Sequence, residues 1–84
     1  MRISYEDAMN YFLANKNNHA EIVKGIILKE PEGNYFFITQ TFLDKNNAVV
    51  QDESGNPLGY KIKVTGIDSE LSRLFKEGDL ILVE

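Results

Sequence analysis

Tyr35-Phe36-Phe37-Ile38 opens a run, continued by Thr39-Gln40-Thr41-Phe42-Leu43, that has the aromatic and β-branched composition of a strand. Side chains alternate faces along a strand, so Tyr35 and Phe37 point one way while Phe36 and Ile38 point the other. Both faces are apolar and both call for cover, which a chain of 84 residues has to supply.

The N-terminal segment predicts a helix that could cover one of them. Ser4 suits the N-cap, and Glu6 and Asp7 fall near the positive end of the helix dipole. Tyr5, Ala8, Met9, Phe12 and Leu13 follow at i, i+3, i+4, i+7 and i+8, a single apolar stripe. Lys16 and the asparagine-rich segment 15–18 supply a stop. A helix of roughly eleven residues is marginal alone in water and has to dock on something. Tyr11 lies off the stripe.

Downstream the period changes to two. A first strand is read over 21–29, with Gly25 marking a bulge or a close approach. Glu30-Pro31-Glu32-Gly33-Asn34 forms a turn, and the strand over 35–43 returns antiparallel. Turns at 44–47 and 53–56 bracket a short strand over 48–52. Leu58, Tyr60, Ile62 and Val64 then alternate with Gly59, Lys61, Lys63 and Thr65, the pattern of a half-buried strand. Asp68 or Ser69 caps a short helical turn carrying Leu71, Leu74 and Phe75, and Gly78 ends it. Leu80-Ile81-Leu82-Val83 is a last strand, apolar on both faces.

The fold expected is α+β in a single domain, residues 1–84: an N-terminal helix and linker over 1–18, and a small β-barrel over 19–84. The barrel is five-stranded, mostly antiparallel and partly open, with a short helical turn before the last strand. Its strand order resembles that of SH3-like barrels. The resemblance stops at strand order, which implies little about activity.

Composition narrows the function classes. The chain has no cysteine, which removes disulfides, thiolate nucleophiles and thiolate metal sites. Small secreted domains usually carry cystines, and the first sixteen residues lack the continuous apolar core of a signal peptide, so a cytoplasmic protein is expected. No stretch approaches the ~20 apolar residues that span a bilayer. A formal charge of −4 disfavours nucleic acid and anionic membranes as partners.

No catalytic motif emerges. The one histidine, His19, lies in a link without a neighbouring nucleophile pattern, and reads as an exposed loop residue. Asp44-Lys45-Asn46-Asn47 departs from a calcium loop, with Val49 and Gly55 where glycine and glutamate belong, and Asp52 to Asn56 has turn composition. No glycine-rich loop opens a helix as phosphate cradles do. No enzyme, metal or cofactor is expected.

Large rings are the surplus. Tyr11, Tyr35, Phe37 and Phe42 form the candidate partner surface of a non-enzymatic module that binds a protein or itself, through aromatic surface or an open sheet edge. The alternative is a barrel that binds a small ligand or single-stranded nucleic acid around Tyr60, Lys61 and Lys63, although Tyr60 points away from the two lysines.

Overall fold

Ser4 starts the first helix through a reciprocal capping box. Its hydroxyl accepts from the Asp7 amide at 3.0 Å, and its own amide donates to the Asp7 carboxylate at 3.2 Å. The computed structural model describes residues 1–84, the side chain of residue 77 excepted. In chain order the elements are β1 (Arg2–Ile3), α1 (Tyr5–Asn18), β2 (Lys24–Glu32), β3 (Tyr35–Leu43), β4 (Gly59–Val64), β5 (Gly66–Ile67), α2 (Ser69–Leu74), a 3-10 turn (Phe75–Glu77) and β6 (Leu80–Val83).

Helix α1 runs longer than the stripe suggested. It buries Ala8 and Phe12, with Tyr5 and Met9 partly covered, while Leu13 remains 53% exposed. Four strands form one antiparallel sheet in the order β4-β3-β2-β6. The two-residue strands β1 and β5 pair in parallel beside it.

The core lies between this sheet and the helices. Ile27, Ile38, Val64 and Ile81 from the sheet meet Ile3, Ala8, Leu71 and Phe75. A second cluster gathers Phe12, Ile22, Phe42 and Val50. Lys29 closes one end of the core: its ammonium sits 5.1 Å above the Phe75 ring, 5.5 Å above Phe36 and 3.7 Å from the Asp79 carboxylate.

The α+β arrangement of an N-terminal helix on an antiparallel sheet is present, whereas two details of the expected five-stranded, partly open barrel are not found. Residues 48–52 form no strand; they make isolated bridges, Leu43 to Val49 and Gln51 to Pro57. The cause is local. The Asp44 carboxylate accepts from the amides of Asn46 and Ala48 and the Asp52 carboxylate from those of Ser54 and Asn56, which makes a tight turn at each end of the segment, and between them only scattered backbone bonds such as Val50 to Phe42 remain. The last strand pairs with β2 at the sheet edge, and no closed barrel forms among the described residues. As a result only one face of residues 35–38 is covered by a second layer. Ile38 is fully buried and Phe36 packs on the core, whereas Tyr35 and Phe37 belong to neither core cluster.

Candidate functional site

Register places the residues of the uncovered face in rows across the sheet. One row runs Leu82, Ile26, Thr41, Gly59, and the next Leu80, Leu28, Thr39, Lys61. Beyond them Phe37 lies between Glu30 and Lys63, and Glu32 lies beside Tyr35. The face therefore has two zones.

The zone toward β4 is aromatic and cationic. Tyr35 and Phe37 meet edge to face with centroids 5.5 Å apart. The Lys63 ammonium stands 4.0 Å above the Tyr35 ring and the Lys61 ammonium 5.0 Å above Phe37. Lys61 also approaches the Glu30 carboxylate at 3.5 Å. The ring faces are thus already occupied by the protein's own cations, and an acid balances one of them.

The zone toward β6 is aliphatic. Leu80 is 54% exposed and Leu82 48%, beside the half-buried Ile26 and Leu28. Here the backbone matters as much as the side chains. The Lys29 amide donates to the Asp79 carbonyl at 2.8 Å, which fixes the alternation along the pair. Ile81 and Val83 turn their amides and carbonyls toward β2; those of Leu80 and Leu82 point away from the sheet. Among the described residues that edge joins no other strand. The opposite edge, β4, carries Lys61 and Lys63, the side chains that ordinarily guard an edge against further pairing.

Of the residues singled out in the sequence, Tyr35, Phe37, Lys61 and Lys63 share this face. Phe42 and Tyr60 lie on the other side of the sheet, where Tyr11 of α1 packs on them. Phe42 is 1% exposed and stacks on Tyr11 at 5.7 Å, and Tyr60 meets Tyr11 edge to face at 4.7 Å. The Tyr60 hydroxyl donates to the side-chain carbonyl of Gln40, whose amide donates to the Ala8 carbonyl at 3.1 Å. Gln40 is 2% exposed and the pair ties helix to sheet. Burial pushes the Tyr60 phenol up to about 12, helped by the nearby Tyr11 and Asp7, and raises Tyr11 as well.

His19 ends α1 and lies 3.9 Å from the Glu21 carboxylate at the surface. A hollow of about 280 Å³ between Thr41, Pro57, Gly59 and Lys61 opens at the β3–β4 rim. Among the described residues, no three acidic, histidine or cysteine side chains converge as metal ligands, and no helix is long and apolar enough to cross a membrane. Ile26 and Leu28 were not expected here, and Leu80 and Leu82 were expected only as part of the last strand and its open edge. The signal for them was a final strand apolar on both faces with only one layer of helix to cover it.

Comparison with protein-family profiles, with curated proteins and with solved structures finds no match for this chain.

Proposed function

We propose that the chain is a non-enzymatic protein-interaction module of the cytoplasm whose contact surface is the uncovered face of the sheet. One observation carries the reading: Leu80 and Leu82 stand about half exposed on an edge strand whose outward backbone groups are unpaired. Exposed leucines over hydrogen-bonding backbone match what β-strand addition uses, with main-chain bonds giving affinity and alternate side chains giving selectivity. Tyr35 and Phe37 extend the same face.

A photoreactive leucine analogue placed at position 80 in cells tests it. The expected result is a discrete covalent adduct to a protein, a second copy of this chain included. The same probe at Leu13, exposed on α1, should give none. No adduct at position 80, or equal adducts at both positions, would contradict the reading.

A second reading is supported by Lys61 and Lys63 beside Phe37 and Tyr35: cations and rings on an open sheet are what single-stranded nucleic acid or a flat small ligand uses. Glu30 and Glu32, in register beside those rings, oppose phosphate. Tyrosine fluorescence during titration with a short oligothymidylate at low ionic strength decides between them. Saturable, salt-sensitive quenching favours nucleic acid, and a flat trace removes it.

A further inference from the structure

We infer that the occupant of the β6 edge is a second copy of this chain, added antiparallel about a two-fold axis to give one eight-stranded sheet. The inference rests on the interaction reading above and commits it to one partner. Unpaired amides and carbonyls in an extended row are satisfied by another extended backbone. Leu80-Ile81-Leu82-Val83 is uncharged and contains neither proline nor glycine, so no side chain guards it.

The sequence is also self-complementary under a two-fold. With Ile81 opposite Ile81 of the second copy, Leu80 lies opposite Leu82 of that copy and Leu82 opposite its Leu80. Those residues carry the outward backbone groups, so the pairing forms four hydrogen bonds. On the open face it joins Leu80, Leu82, Ile26 and Leu28 of both copies into one aliphatic strip.

Charge selects this pairing over the other self-pairing of edges. Joining β4 to β4 would bring Lys61 and Lys63 against their own copies. Across the β6 seam the flanking Asp79 is already held by Lys29 at 3.7 Å. A four-residue seam is small, so the dimer is weak and reversible.

Sedimentation of the full chain from about 1 µM to about 1 mM tests it. The expected result is a reversible doubling of mass, accompanied by slower exchange of the Leu80 and Leu82 amides as concentration rises. Ile81 and Val83 amides, already bonded to β2, should not respond. Leu80→Glu and Leu82→Lys should each weaken association at least about tenfold. The double variant places the new charges opposite one another and should restore it to within a few-fold.

The amide-exchange measurement uses the unsubstituted chain and stands even where a variant fails to fold. A monomer at every concentration overturns the inference, as does a dimer whose Leu80 and Leu82 amides are unaffected. So does a folded double variant that stays monomeric. A monomer that still gives an adduct at position 80 to a different protein removes self-pairing and keeps the interaction reading. A monomer without any adduct removes both.

Discussion

The Phe12 ring lies across Gly25: a Cβ built on that glycine would stand 2.5 Å from Cδ1 and 2.9 Å from Cε1 of the ring. Gly25 in β2 is therefore the seat of α1 on the sheet, which explains a glycine inside a strand. Gly25→Ala should destabilise by about 1–3 kcal/mol through overpacking. Phe12→Ala should cost about 3–5 kcal/mol by leaving a cavity. The double variant should cost clearly less than their sum, because the alanine methyl enters space that the ring has left. Urea unfolding of the four proteins measures the coupling.

Tyr60 and Gln40 make stability sensitive to alkali. The folded Tyr60 phenol is raised to about 12 from an ordinary value of 10.0, chiefly by burial, and Tyr11 moves the same way. An acid whose folded pKa is raised contributes stability that is complete below pH 10 and is lost as pH climbs through 12, since the unfolded chain ionises first. Thermal unfolding followed from pH 9 upward should show the decline setting in near pH 10. Tyr60→Phe should flatten that decline, leaving the smaller share of Tyr11. At neutral pH the same variant should lose about 1–2 kcal/mol, because the buried Gln40 carbonyl loses its donor.

Asp68 joins two helix starts. One carboxylate oxygen accepts from the Leu71 amide at 2.9 Å, capping α2, and the other accepts from the Tyr5 amide at 3.1 Å, at the first residue of α1. Asp68→Ala removes both bonds and should cost about 2–3 kcal/mol. Asp68→Asn keeps one oxygen acceptor and should fall between. Chemical denaturation gives the order, and equal losses for the two variants would show that only one of the bonds matters.

The two faces of β3 should answer differently to truncation. Phe42→Ala, under α1, should cost about 3–5 kcal/mol. Phe37→Ala, on the uncovered face, should cost only about 1 kcal/mol, from the lost contacts with Tyr35 and Lys61. Similar losses at the two positions would mean that a second layer covers Phe37.

Much of this fold could be read along the chain because its signals were local. The span of β3, the Ser4 cap, the strand over 80–83 and the Asp68 cap each depend on neighbouring residues. What failed depends on partners distant in sequence. Pro31 was assigned to the turn, yet it continues β2 opposite Phe36. It fits because β6 pairs only as far as Leu28, so the missing amide faces no ladder there. Residues 48–52 had strand composition, but tight turns built on Asp44 and Asp52 leave them only isolated bridges. The strands β1 and β5, two residues each, are too short to show a period.

The candidate site was legible in part for the same reason. Alternation showed that both faces of 35–38 and 80–83 are apolar. It could not show that α1 and α2 lie on one side, or that Lys61 and Lys63 would pair in register with the strand bearing Tyr35 and Phe37. Tyr11 and Phe42 were grouped with those rings by size, and the sheet separates them.

Single cysteines offer the most direct measurement, because the chain contains none of its own. Substituted one at a time at 80, 81, 82 and 83 and treated with a thiol reagent at low protein concentration, they report which face of β6 is covered. Fast modification at positions 80 and 82, with protection at 81 and 83 until the protein is unfolded, is the predicted outcome. Protection at all four positions, or the reverse alternation, would contradict an uncovered sheet face and the interaction surface built upon it.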